Sequence, residues 1–328
     1  MKPFAYTRAS GVDAAISALN GHPDAKFLGG GTNLLDLMKM GVERPSQLVD
    51  ISRIPLTAIE EHVGGVRIGA MASNRDAASH PLIRERYPVL TEALVSGASP
   101  QLRNMATMGG NLMQRTRCYY FYDPSYQECN KRTPGSGCAA IPGYNRDHAI
   151  LGASDHCIAT HPSDMAVALA ALDAVIQVKG PRGERSIALK DFHRLPGDSP
   201  HIDTNLQPGE LIIAIDLPPL FYGRRSHYLK VRDRNSYAFA LVSVAAILDI
   251  DGDSIRRAHI ALGGVAHKPW RVPEAENALQ GKKADETAYR AAANLILQGA
   301  KTQRYNAFKV ELARRSIVRA LTTAAARA

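Results

Sequence analysis

Two kinds of residue in this chain carry chemistry. Four cysteines, Cys118, Cys129, Cys138 and Cys157, are confined to residues 118–157 of a 328-residue sequence, so they read as one group. A glycine-rich passage, Phe27-Leu28-Gly29-Gly30-Gly31-Thr32-Asn33-Leu34, stands between an apolar segment at 25–28 and a helix-patterned segment at 33–40. With no side chains in the way, backbone N–H groups there can close around an anion, and the following helix adds its positive end. The same residues also make an ordinary strand-to-helix turn. They do not make a dinucleotide fingerprint, because Leu34 occupies the third glycine position.

A second polar turn, Gln101-Leu102-Arg103-Asn104 through Thr107-Met108-Gly109-Gly110-Asn111, offers another glycine pair beside hydroxyl and amide groups. Two such turns can hold opposite sides of one extended cofactor, although a Gly-Gly-Asn turn is common in loops. No cysteine pair has the two-residue spacing of zinc knuckles and bacterial ferredoxins. Four thiolates suit a 4Fe-4S cluster, with Arg115, Arg117, Lys131 and Arg132 offsetting their charge and Tyr119, Tyr120, Phe121 and Tyr122 keeping water away. A structural zinc, two disulfides or four unrelated thiols fit the same spacing. His156 and His161 are substitute ligands or plain loop histidines.

Around these groups the pattern is helical at 11–19, extended at 48–51 and 66–68, and helical at 72–79 and 82–94. A polar, glycine-rich passage (96–114) and an irregular cysteine segment follow. An apolar helix at 165–172 has Ser163 or Asp164 as its cap, and strands follow at 175–178 and 211–217. Beyond Pro218-Pro219 come an apolar run at 238–250, a shorter one at 259–265, and helices at 284–299 and 307–321.

This organisation resembles the FAD-binding subunits of the xanthine dehydrogenase and carbon monoxide dehydrogenase family of molybdenum hydroxylases. The resemblance rests on the two turns together with Lys230-Val231-Arg232-Asp233-Arg234 and Ala261-Leu262-Gly263-Gly264-Val265-Ala266, and it covers nearly the whole chain. The periplasmic aldehyde oxidoreductase branch is the nearest. It implies an α+β architecture: a vanillyl-alcohol-oxidase-type FAD-binding fold of two α/β lobes (1–55 and 56–220, with an iron–sulfur insertion at 115–160) and a C-terminal α+β domain (221–328).

By the same resemblance, Lys26, Phe27, Leu28, Gly29, Gly30, Gly31, Thr32, Asn33 and Leu34 wrap the FAD diphosphate and ribityl region, with Thr107, Gly110 and Asn111 opposite. Asp164 meets a polar part of the cofactor, Ile212 lines its adenine end and Lys230 lies near the flavin. Helix capping, core packing and a surface position are the plainer readings of those three. In the aldehyde oxidoreductase branch the cysteine segment carries an extra 4Fe-4S cluster, which favours Cys118, Cys129, Cys138 and Cys157 as its ligands. No residue is assigned a catalytic role. The implied function is electron transfer from a partner's molybdenum centre, through a 2Fe-2S subunit, to FAD and an external acceptor. A zinc-stabilised binding module and a stand-alone flavin oxidase are the competing readings.

Composition limits the field further. At 45% apolar and 22% charged residues the chain is globular rather than disordered. The excess of 40 Lys and Arg over 31 Asp and Glu is scattered, with no run of five basic residues, which argues against a nucleic-acid groove and fits either solubility or an acidic partner surface. No apolar run approaches the roughly 18 residues of a membrane span, and the N-terminus lacks the apolar stretch of a secretory signal. A periplasmic location, implied only by the family, then requires export as a folded complex on a partner's signal; the alternative is cytoplasmic.

Overall fold

The computed structural model describes residues 1–19 and 21–327. Three sheets follow one another along the chain. The first is parallel, in the order β1-β3-β2, from β1 (Ala5–Arg8), β2 (Lys26–Leu28) and β3 (Gln47–Asp50), with α1 (Val12–Ala18) and α2 (Leu34–Lys39) as crossovers. The expected strand–turn–helix–strand unit at the glycine passage is therefore present, with β1 as a further strand beside it.

The second sheet contains β4 (Ile59–His62), β5 (Gly65–Gly69), β6 (Val175–Gly180), β7 (Gly183–Ala188) and β8 (Leu211–Leu217), antiparallel in the order β4-β5-β8-β6-β7. Helices α3 (Asn74–Ser79), α4 (Pro81–Arg86), α5 (Pro88–Ser96), α6 (Pro100–Met105), α7 (Met108–Leu112), α8 (Tyr119–Tyr122) and α9 (Asp164–Ala171) lie between β5 and β6, and α10 (Leu189–Phe192) follows β7. The single helix expected over 82–94 is two helices. Pro88 excludes helical geometry at Tyr87, whose backbone turns to φ −134°, ψ 55°. Helix α9 is buried on every side, which explains its uninterrupted apolar sequence. Its cap is Ser163, whose hydroxyl accepts from the Ala166 amide at 3.0 Å. Asp164 is thereby free for another role.

The third sheet is antiparallel, in the order β12-β11-β10-β9, from β9 (Ser226–Val231), β10 (Val242–Asp251), β11 (Ser254–Gly263) and β12 (Trp270–Arg271). It is covered by α11 (Pro273–Leu279), α12 (Glu286–Ile296) and α13 (Phe308–Ala325). Strand β10 explains how this part joins the rest. Val242, Val244, Ala246 and Leu248 pack into the core under α11–α13, whereas Ala245 and Ile247 pack into the core of the second sheet. A strand buried on both faces loses the apolar/polar alternation of a half-exposed one, hence the continuous apolar run. No helix among the described residues is long and apolar enough to cross a membrane.

Candidate functional site

The turn after β2 presses against the segment joining α6 to α7. A Cβ at Gly30 would lie 1.7 Å from the Met105 carbonyl oxygen, so only glycine permits this approach. One at Gly29 would meet Thr107 Oγ1 at 3.3 Å, and Gly31 has φ +72°, in the left-handed region. Within the turn, the amides of Gly30, Gly31, Thr32 and Asn33 make no hydrogen bond to another described residue. Four consecutive unsatisfied donors form an anion cradle.

Opposite them, Thr107 caps α7 by accepting from the Gly110 amide at 3.1 Å. The Asn111 side chain donates to Asn74 Oδ1 at 3.0 Å and accepts from Ser163 Oγ at 2.6 Å and Gln114 Nε2 at 2.6 Å. Asn74 Nδ2 is buried without a partner. An orphaned buried donor beside two facing glycine turns is an arrangement that a polar cofactor completes. The two turns expected to hold one cofactor are thus brought together. Helices α6 and α7 and the Asn74 side chain were not foreseen. The caps Ser99 and Thr107, each accepting from an amide three residues on, are the signal that was available.

Asp164 and Lys230, expected to serve the cofactor separately, are bonded to each other. Lys230 Nζ lies 2.7 Å from Asp164 Oδ2 and 3.1 Å from the Ser96 carbonyl oxygen, and Tyr228 donates to Asp164 Oδ1 at 2.7 Å. Burial, then the Asp164 charge, drives the Tyr228 hydroxyl well above its ordinary pKa, so it stays a donor. Lys230 is buried, not a surface lysine, and Asp164 is not a cap. Ile212 lies buried in the main core, where packing is its visible role. Phe27 packs on the core of the first sheet, while Lys26 is exposed at the head of β2 and Leu28 and Leu34 are half-buried. The Asn33 side chain accepts from the Arg115 amide at 3.1 Å and donates to Tyr122 at 3.4 Å, tying the cradle to the cysteine segment.

All four cysteines are free thiols. Cys129 and Cys138 face each other across a short antiparallel bridge, and Cys157 is in hydrogen-bond contact with Cys138. Backbone amides point at the sulfurs: those of Tyr120 and Phe121 at Cys118, those of Ala140, Ile141 and Ile158 at Cys138, and that of Ala159 at Cys157. Burial pushes the Cys118 thiol up to about 12. Hydrogen bonding from Cys157 draws Cys138 down to about 6, and the same contact drives Cys157 up. A bound cation reverses such burial effects, because a coordinated thiol gives up its proton.

Among the described residues no three His, Cys, Asp or Glu side chains are grouped to hold a metal ion. The supporting residues differ from expectation. Arg115 pairs with Glu43 and Asp203, Arg117 with Asp36, and Arg132 donates to the carbonyls of Tyr120, Phe121 and Tyr126, because carboxylates and carbonyls lie nearer than the sulfurs. Lys131, buried and bonded to Asp203 and the Pro200 carbonyl, is the cation whose charge reaches a thiol, Cys157. Phe121 is fully buried among Leu37 and Cys129, but Tyr119 is 54% exposed and shields nothing. His156 reaches Asp198 and His161 packs on His193 at 4.2 Å between ring centroids, so neither approaches a sulfur. His148, which sequence reasoning passed over, has Nε2 at 3.1 Å from Cys118 Sγ.

Comparison with known proteins decides the family. The FAD binding domain in molybdopterin dehydrogenase matches residues 2–220, and the CO dehydrogenase flavoprotein C-terminal domain matches residues 227–324. This chain belongs to the FAD-binding subunits of the molybdenum hydroxylases. It is similar over its full length to the aldehyde oxidoreductase FAD-binding subunit PaoB of Escherichia coli, with 52% identity covering 100% of both chains. Among solved structures it resembles reconstituted CO dehydrogenase from Oligotropha carboxidovorans (TM-score 0.79, 27% identity, 100% of both chains). Quinoline 2-oxidoreductase from Pseudomonas putida 86 is also similar (TM-score 0.76, 26% identity, 99% of this chain and 98% of that one). As a member of this family the chain is a subunit of an oxidoreductase, and FAD is its cofactor. The mixed α and β architecture, an FAD-binding part followed by a separate C-terminal domain, is the one the sequence implied.

Proposed function

We propose that this chain is the electron-transfer subunit of a molybdenum-dependent aldehyde oxidoreductase and that it holds a 4Fe-4S cluster as well as FAD. The observation that supports the cluster is a chain of neighbouring free thiols inside an FAD-binding subunit: Cys138 touches Cys157 and faces Cys129, and Cys118 lies near enough to feel the charges of Cys129 and Cys138. The aldehyde class rests on the full-length similarity to PaoB.

In this reading the free amides of Gly30, Gly31, Thr32 and Asn33 bind the FAD diphosphate, with Lys26, Phe27, Leu28, Gly29 and Leu34 framing the turn. Thr107, Gly110 and Asn111 form the opposite wall, and Asn74 Nδ2 gains a partner. The Lys230–Asp164 pair supplies a fixed dipole near the flavin, and Ile212 backs the adenine end. Bound flavin supplies one- and two-electron chemistry; the protein holds it, tunes it and excludes water. Cys118, Cys129, Cys138 and Cys157 are the cluster ligands. Residues 1–55 and 56–220 act as the two FAD lobes, the second carrying the insertion, and 221–328 as the cover.

The partners are a molybdenum-cofactor subunit and a 2Fe-2S subunit, from which electrons arrive, and an external acceptor, to which they leave. The scattered positive charge, +9 overall, suits acidic partner surfaces. The complex works in the periplasm, exported folded on a partner's signal. The test is metal and flavin analysis of the complex purified anaerobically. Cys129→Ser should remove about four irons and leave FAD and the partner's iron in place. Equal iron in both complexes, or zinc in place of that iron, overturns the cluster; absence of flavin overturns the whole reading.

A further inference from the structure

We propose that His148 sets the reduction potential of the cluster by donating a hydrogen bond from Nε2 to the Cys118 sulfur. This rests on the proposed cluster and concerns a residue that is not one of its four ligands. The contact is direct, 3.1 Å from Nε2 to Sγ. Sulfur bound to iron carries no proton, so it only accepts, and Nε2 must hold the imidazole proton. Such a bond withdraws electron density from the ligand and favours the reduced cluster.

The backbone that carries the imidazole is held by buried polar groups. Lys309, fully buried at the start of α13, has no carboxylate partner among the described residues and donates to three carbonyls: Asp147 at 3.3 Å, His148 at 2.9 Å and Gly264 at 2.5 Å. Asn306 donates to the carbonyls of His148 and Ala149 at 3.2 and 3.3 Å. The His148 amide closes a turn onto the Asn145 carbonyl at 3.1 Å, and Asn145 donates to the Ala140 and Ile141 carbonyls, both at 3.2 Å. One buried cation and two buried amides thus fix the backbone around His148, residues 145–149, beside Cys118. His148 Nδ1 has no partner among the described residues, so the ring is oriented from its backbone, by Cys118 and by the Tyr120 ring, 6.2 Å away between centroids.

The experiment is a potentiometric EPR titration of the anaerobically purified complex, with iron and sulfide measured on every sample. His148→Leu should shift the cluster potential to a more negative value, and His148→Gln, which keeps an N–H donor, should recover at least half of that shift. The wild-type complex carrying ¹⁵N-histidine should show a weak nitrogen coupling to the reduced cluster by pulsed EPR, a reading independent of whether either variant folds. Full cluster content with equal potentials in all three proteins overturns this inference alone. A strong coupling from a nitrogen bonded to iron also overturns it, since His148 would then be a ligand. Wild-type complex without the cluster iron overturns both this inference and the cluster itself.

Discussion

Replacing Gly30 with alanine tests the cradle at the place where its two walls meet. The added methyl would sit 1.7 Å from the Met105 carbonyl oxygen and 2.6 Å from its carbon, where real contacts stay beyond 3.0 Å. The obstacle is backbone, so the turn and the α6–α7 segment must part by more than an ångström. Forced over-packing of this kind costs about 1–3 kcal/mol. Because the strain falls between the two halves of the FAD site, it should appear in flavin affinity. A loss of about 2 kcal/mol weakens FAD roughly 30-fold. Gly29→Ala is the matched control: its methyl meets only the Thr107 hydroxyl at 3.3 Å and the Met71 side chain at 3.8 Å. Its affinity should change by less than about threefold, under 1 kcal/mol. Titration of FAD into the deflavinated complex, followed by flavin fluorescence, measures both. Equal affinity for the Gly30→Ala and Gly29→Ala proteins would refute the reasoning, because it would show that the close approach at Gly30 does not shape the site.

Three further outcomes follow from the geometry. Asp164→Asn strands the buried Lys230 ammonium and should cost about 3–5 kcal/mol in urea unfolding, with much of the loss restored by adding Lys230→Met. His193 and His267 are buried and neutral, burial having lowered them to about 4 and about 3. The unfolded chain takes up their protons below about pH 6.5, so their contribution to stability is level above that pH and falls toward pH 4 by up to about 1.4 kcal/mol per pH unit for each histidine. Urea midpoints between about pH 8 and pH 4.5 should show that slope, and His193→Gln should make it shallower; a midpoint independent of pH contradicts the burial. Cys129→Ser should strip the proposed cluster yet lower the melting temperature by only a few degrees, roughly 1 kcal/mol of stability, as differential scanning calorimetry would record.

Local sequence revealed what is local. The glycine turn was readable because it lies between an apolar strand and an apolar helix face, and the cysteines because they cluster. What depends on tertiary pairing was not readable. The Lys230–Asp164 bond joins residues 66 positions apart, and the Lys131–Asp203 bond joins residues 72 apart. Arg115 and Arg117, beside Cys118 in sequence, pair instead with Glu43 and Asp36 of the first lobe, which no spacing rule foretells. Helix α7 was hidden by its own Gly-Gly pair, which lowers helix propensity and leaves the Thr107 cap to decide. The break at Tyr87 was visible in Pro88 and was overridden by the apolar period on either side.

The cysteine segment differs from an independent metal-folded module in one respect that bears on its role. In a zinc finger the metal supplies the folding energy, so its removal unfolds the unit. Here residues in the connections beside each of the three sheets, and Lys309 of α13, grip the segment. Asn33 and Glu43, beside the first sheet, hold Arg115, and Asp203 and the Pro200 carbonyl, beside the second, hold Lys131. From the C-terminal domain, Lys309 and Asn306 hold residues 147–149, and the amides of Ile150 and Leu151 pair with the Val265 carbonyl. A loop so constrained keeps its course whether or not iron is bound. The fold therefore positions the thiols, not the metal the fold. That is the arrangement electron transfer demands, since a cofactor that moved on each change of charge would pay for reorganisation at every step. It is also why losing a single ligand should empty the site without loosening the flavin cradle, to which Asn33 joins it directly.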